Sequence, residues 1–150
     1  MAKRNIVKLG DEMLNKVSRP VEKFDGRLHQ LLDDMKETMY AADGCGLAAV
    51  QVGILRRVCV VDTGDGPIEL VNPVIKGKSG HQEEAEGCLS LPGVSGITDR
   101  PMRVIVEAQD RYGNTIIVKG EGLKARALCH EIDHLNGILF TSHVIRNCEE

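Results

Sequence analysis

Two histidines four residues apart, with a glutamate beside the first, make His130-Glu131-Ile132-Asp133-His134 the stretch of this chain best suited to chemistry. On a helix, residues at i and i+4 project from one face, one turn apart, so both imidazoles reach a single metal ion. Glu131 points partly to the same side, where it can contact a metal-bound water without being a ligand. For so short a pattern the plain alternative is a chance occurrence on an exposed helix, and a third ligand separates the two. A related pattern takes that ligand from a downstream histidine; Gly137 stands where that pattern has glycine, but the ligand position holds Phe140. The only downstream glutamates are Glu149 and Glu150, at a terminus expected to fray, so the third ligand is expected upstream.

Cys88 is the leading candidate. It lies in Glu86-Gly87-Cys88-Leu89-Ser90-Leu91-Pro92-Gly93, where Gly87 lets the backbone approach a neighbouring element and Pro92-Gly93 reads as a break. A thiolate suits a borderline divalent ion, which in turn keeps the thiol deprotonated. Taken alone, Cys88 would read as a small buried hydrophobe. The other glycine-rich stretch runs from Gly44 to Gln51 and reads as a loop entering an extended segment. The Gln51 amide could donate to a developing oxyanion; the alternative is a tight turn with Gln51 as a surface polar group.

These residues need elements to hold them. An irregular arm runs to about Val21. A first helix follows, capped by Asp25, with Leu28, Leu31, Leu32, Met35 and Met39 on one face and Gly44 as its stop. Arg57–Asp62 and Ile68–Val71 flank the turn Thr63-Gly64-Asp65-Gly66 as a hairpin; Arg103–Ala108 and Thr115–Lys119 flank Asp110–Asn114 as a second. A final helix spans about Leu123 to Leu135, between Gly122 and Gly137. Helix, strands and helix with hairpin-length turns indicate an α+β fold with antiparallel sheets rather than a parallel one.

The 150 residues suffice for one domain, 1–150, with a real core. A net charge of −3, with two Tyr and two Phe, argues against a nucleic-acid partner. No run of 18 apolar residues suggests a membrane span, and the first residues resemble no targeting segment. The five cysteines (Cys45, Cys59, Cys88, Cys129 and Cys148) are odd in number and irregularly spaced, which points to a reducing cytosol rather than a disulfide framework. The expected location is the cytoplasm. Cys59 and Cys148 carry no functional signal, and Cys129 either lines a pocket or packs. His29, His81 and His143 have no ligand-like spacing.

Taken together, three segments resemble peptide deformylase. Gly44-Cys45-Gly46-Leu47-Ala48-Ala49-Val50-Gln51 is similar to the family's G-x-G-L-A-A-x-Q, Glu86-Gly87-Cys88-Leu89-Ser90 to E-G-C-L-S, and His130–His134 to H-E-x-D-H. The likeness runs from the N-terminal arm to about Phe140. It implies antiparallel sheets packed around a central C-terminal helix that carries the histidines, plus the N-terminal helix. It implies a hydrolase that removes the formyl group from formyl-methionine at the N-termini of nascent chains and releases formate. Cys88, His130 and His134 would be ligands of one divalent ion, Fe(II) by expectation, with zinc, nickel or cobalt as substitutes. A metal-bound water would be the nucleophile and Glu131 its general base and then acid, with an oxyanion hole from the Gln51 amide and the Leu89 backbone N–H. Gly46, Leu47, Leu123, Ala127 and the His130 ring would surround the methionine side chain.

Some positions depart from the better-known enterobacterial type. Glu84 and Arg126 replace apolar residues, and Ser95 replaces an arginine. The chain ends soon after Phe140 without room for the long C-terminal helix that some members use at the ribosome, so any ribosome contact is expected to be transient. Asp133 is read either as orienting a group such as Arg100 or as a solvated helix residue. The competing readings are a metallopeptidase or other amidase, which usually completes its ligands with Glu, His or Asp, and a closed structural metal knot, which would want a fourth protein ligand.

Overall fold

The computed structural model describes residues 3–148, and Glu149 and Glu150 lie outside them. Two α-helices sandwich a five-stranded sheet, and a three-stranded sheet stands beside it. The first helix, α1, spans Gly26–Ala41, and the Asp25 carboxylate caps it by accepting the Leu28 N–H at 3.2 Å. The large sheet has the order β1-β2-β3-β6-β7, from β1 (Gly46–Ala48), β2 (Val58–Val61), β3 (Ile68–Ser79), β6 (Arg103–Gln109) and β7 (Thr115–Glu121). The small sheet has the order β4-β5-β8, from β4 (Gln82–Cys88), β5 (Leu91–Arg100) and β8 (Val144–Arg146). Every pairing between these strands is antiparallel. The second helix, α2, spans Leu123–Leu135. No helix among the described residues is long and apolar enough to cross a membrane.

The period of two along a strand explains the sandwich. All four residues of β2 are buried: Cys59 and Val61 pack on the α2 side, while Val58 and Val60 pack on the α1 side. β1 divides likewise, with Ala48 under α2 and Leu47 under α1. α2 meets the sheet through Ala125, Leu128, Cys129, Ile132 and Leu135. Each fully buried leucine, such as Leu128, contributes about 1.5–3 kcal/mol. Small residues on the α2 side of β1 let the helix lie close.

The structure corrects several sequence expectations. Gly44 does not supply the left-handed residue after α1; Asp43 does, at φ 56°, while the Gly44 N–H bonds the Met39 carbonyl at 3.0 Å. The stretch from Gly44 does enter an extended segment, β1, which pairs with β2, but the chain then leaves it through a 3-10 turn over Ala49–Val52 that the extended reading lacked. Nor does Pro92-Gly93 break the chain. The turn lies at Leu89-Ser90, and β5 runs through the proline, forming with β4 a hairpin the sequence reading missed. Gly137, expected to bound α2, has φ 75°, and a Cβ there would meet the Asn15 carbonyl oxygen at 2.6 Å; the N-terminal arm therefore packs against the end of this helix.

Candidate active site

One face of α2 carries Leu123, Ala127, His130 and His134, spaced as i, i+4, i+7 and i+11, which is one helical stripe. His130, Glu131 and His134 are buried. The β4–β5 hairpin brings Cys88 to this stripe. Cys88 is the last residue of β4, where a register irregularity between Gly87 and Cys88 shifts the pairing so that Cys88 opposes Leu91; such bulges re-aim side chains. The Cys88 Sγ lies 3.2 Å from His134 Nε2. Ligand atoms of Cys88, His130 and His134 all lie within 4.8 Å of one another. One thiolate and two imidazoles suit a borderline divalent cation, and three protein donors leave a fourth position for another ligand. The donor set fits one such ion.

His130 is fixed from behind. Its Nδ1 lies 2.7 Å from Glu86 Oε2, which holds the ring so that Nε2 is the nitrogen left for a cation. Arg100 grips Glu86 with Nη2 at 2.7 Å and Nε at 3.1 Å, and reaches Asp133 with Nη1 at 2.7 Å. Thr98 donates to the same Glu86 carboxylate at 3.1 Å. Burial alone would raise the Glu86 pKa, but His130 and Arg100 outweigh it and hold it at about 2. Burial opposes a charge on His130, yet Glu131, Cys88 and Glu86 push its pKa well up. Burial, with His130 and Arg100 adding to it, lowers His134 to about 3, leaving a neutral ring with a lone pair to give. Burial raises the Glu131 carboxyl to about 7, a value suited to taking and returning a proton near neutrality.

A cavity of about 340 Å³ opens onto this cluster. Gly46, Leu123, Ala127, Gln51, Leu89, Cys88, His130 and Glu131 are all on its wall. Gln51 is not a surface group but is buried. Its Oε1 accepts the Ala48 N–H at 2.9 Å, which turns Nε2 toward Ser90 Oγ at 3.1 Å and Cys88 Sγ at 3.6 Å. Leu47 is not on the wall: the strand's alternation sends it into the core beneath α1. Gly46 lies where a side chain could not, since a Cβ there would stand 2.5 Å from Glu131 Oε2.

The profile of the polypeptide deformylase family matches residues 3–150. The chain belongs to this family. It is 59% identical over 150 residues to a peptide deformylase of Caldicellulosiruptor bescii, covering all of this chain and 90% of that protein. Against a second, from Alkaliphilus metalliredigens, identity is 58% over 146 residues, covering 97% and 99% of the two chains. Among solved structures, the peptide deformylase of Ehrlichia chaffeensis in complex with actinonin superposes with a TM-score of 0.94 at 42% identity, covering 96% of this chain and 90% of that one. That of Thermotoga maritima gives 0.93 at 40% identity, covering 95% and 97%. The chain is therefore a deformylase-family hydrolase with an α+β fold.

In this deformylase-family site, Asp133 is no solvated residue but a partner of Arg100. Arg100 itself was legible only as a candidate partner, because its place depends on β5 pairing with β4. Cys129 packs in the core, with burial raising its pKa to about 11, and does not line the cavity. Gly87 is not where close approach is needed: a Cβ there would meet only the Val94 oxygen, at 3.5 Å. Of the three departures noted above, Arg126 is on the cavity wall; Glu84 and Ser95 pair with Thr98 and Gly87 within the hairpin and are not. Asp43 and Cys45 also line the cavity; Cys45 was visible only as a motif position.

Proposed function

We propose that this chain, as a single catalytic domain over residues 1–150, hydrolyses the formyl group from formyl-methionine at the N-terminus of nascent polypeptides in the cytoplasm and releases formate. The observation that carries the reading is the juxtaposition of Cys88, His130 and His134 with the buried carboxylate of Glu131 at the wall of one cavity. Family membership and the similarity to known peptide deformylases support the same substrate.

Cys88 Sγ, His130 and His134 would hold one divalent ion, Fe(II) by expectation, with zinc, nickel or cobalt able to replace it. When bound, the ion supplies a Lewis acid and lowers the pKa of a water at its open position. Glu131 would take a proton from the water whose oxygen attacks the formyl carbon. Its buried carboxyl then returns the proton to the leaving amine nitrogen as the C–N bond breaks. The Gln51 Nε2–H and the Leu89 backbone N–H stabilise the negative charge on the former formyl oxygen. Gly46, Leu123, Ala127 and the His130 ring receive the methionine side chain, whose unbranched thioether suits an apolar slot. Glu86, held by Arg100 and Thr98, keeps the His130 ring in place. Contact with the ribosome is transient in this reading.

The test is formate release from formyl-Met-Ala-Ser by anaerobically purified, Fe(II)-loaded protein, with Glu131→Gln alongside. The parent should turn over and the variant should fall by about 10²–10⁴-fold while keeping its metal. A parent that holds one equivalent of metal and releases no formate overturns the reading.

A further inference from the structure

The N-terminal arm reaches both turns that carry the proposed oxyanion donors. The Val7 N–H donates to the Gln51 carbonyl oxygen at 2.6 Å, and the Leu9 N–H donates to the Ser90 carbonyl oxygen at 2.8 Å. Between them, Lys8 Nζ stands 3.5 Å from the Leu89 carbonyl oxygen. Gln51 lies in the 3-10 turn after β1, and Leu89-Ser90 is the turn between β4 and β5. Two residues of chain span at most about 7 Å, so the arm limits how far apart these turns can stand. Within the same frame, Gln51 Nε2 donates to Ser90 Oγ at 3.1 Å.

Apolar burial does not account for this course. Leu9 is 59% exposed, and neither Val7 nor Leu9 belongs to the core. The arm is fixed instead at its other end, on α1. There the Arg4 backbone N–H donates to Thr38 Oγ1 at 2.9 Å, and the Arg4 guanidinium meets the buried Asp34 carboxylate with Nε at 3.0 Å and Nη2 at 2.9 Å. Gln30 Nε2 holds the other Asp34 oxygen at 2.6 Å, which makes that carboxylate a fixed post. Ordering a chain segment costs entropy that some contact must offset, and here the contacts are polar ones, to α1 and to the two turns of the site.

We propose that Arg4–Leu9 is a positioning strut for the oxyanion site: anchored on α1 through Arg4, it holds the Gln51 turn and the Leu89-Ser90 turn at the separation from which the Gln51 Nε2–H and the Leu89 N–H meet one oxygen atom. Its residues act through Gln51 and Leu89 and do not touch the substrate. The inference rests on the proposed deformylation and deepens it. Donors to an oxyanion act as charge develops, so slack between them lowers kcat and leaves KM nearly unchanged. A misplacement near 1 Å costs about 10²-fold in rate, and loosening one of the two turns should cost at least about tenfold.

The experiment compares Val7→Pro, which lacks the N–H that meets Gln51, with Val7→Ala, which keeps it, so that loss of the valine side chain cancels. In Fe(II)-loaded protein with formyl-Met-Ala-Ser as substrate, kcat should be at least about tenfold lower in Val7→Pro than in Val7→Ala, with KM within about threefold and metal content unchanged. The second readout needs no turnover. In zinc-loaded protein, the backbone ¹⁵N order parameters of Gln51, Leu89 and Ser90 should fall from the value of a rigid backbone, about 0.85, toward about 0.6 in Val7→Pro only. A kcat within threefold of Val7→Ala overturns the proposal, and so does retained order at both turns in a folded Val7→Pro protein, whatever its activity. Should that variant fail to fold, Arg4→Met, which cuts the strut from Asp34, decides against the parent by the same two criteria. If the parent holds metal and releases no formate, the order parameters separate the two readings. Order lost at both turns then upholds the strut and overturns only the deformylation reading, while order kept overturns the strut as well.

Discussion

Replacing Gly46 with alanine should disable the chemistry while leaving the ligand cluster whole. The added Cβ would stand 2.5 Å from Glu131 Oε2 and 2.9 Å from its Cγ and Cδ. Ordinary contacts of this kind need about 3.5 Å, so the carboxylate must retreat by on the order of 1 Å. Glu131 is only 4% exposed, and its other carboxylate oxygen is buried, so it cannot swing into solvent. The backbone accepts alanine here: Gly46 does not have a positive φ, and alanine suits the strand paired with Val61. A misplacement near 1 Å in a reacting geometry costs about 10²-fold in rate, or about 2.7 kcal/mol of barrier. The assay is kcat for formate release from formyl-Met-Ala-Ser, with metal content and Tm measured on the same sample. Gly44→Ala is the control: its Cβ would meet Leu89 Cδ1 at 2.7 Å, the far end of a side chain that can turn aside, so its kcat should stay within about tenfold. A Gly46→Ala protein with full metal and a kcat within threefold of the parent would refute the argument that packing against Gly46 sets the Glu131 position.

Two further outcomes follow from the ionic groups. Arg100→Met removes the cation that balances the buried Glu86 carboxylate and one partner of Asp133, so it should destabilise the fold by about 3–5 kcal/mol, read as a lower Tm; it should also weaken metal affinity by about 10- to 100-fold, because the Glu86 carboxylate that holds His130 is less firmly fixed. Unchanged affinity would show that Glu86 holds the ring without Arg100. Away from the site, burial opposes the ionised form of Glu69, but Arg111 at 2.9 Å and Lys36 at 2.8 Å outweigh it and hold its pKa below the ordinary 4.5. Because the folded-state value is the lower one, this contribution is fully present above about pH 4.5 and is lost as pH falls through the folded pKa. Tm between pH 6 and 3 should therefore decline less steeply in Glu69→Gln than in the parent, and parallel curves would exclude the linkage.

The sequence alone determined what depends on short periods. His130 and His134 share a helix face because four residues make about one turn, and both hairpins of the large sheet were legible from alternation and turn residues. Both ends of α2 were legible from Gly122 before it and Gly137 after it, and the cap of α1 from Asp25. The motif triplet also identified Cys88 and Gln51 as parts of one site before any distance was known. What remained hidden depends on which strand lies beside which. Thr98 and Arg100 reach Glu86 only because β5 folds back on β4, a hairpin whose Pro92-Gly93 segment looked like a break. The sheet is covered on both faces, so Leu47 turns to the α1 side while Gly46 is left against Glu131, and no local pattern reports a second covering helix. Gln51 is an ordinary polar residue in the sequence and becomes a fixed donor only when Ala48, Ser90 and Cys88 surround it. Helix and strand periods act over a few residues and are written into the chain; sheet order, two-sided burial and the approach of α2 to β1 are decided by contacts between residues far apart along it, and only the folded structure contains them.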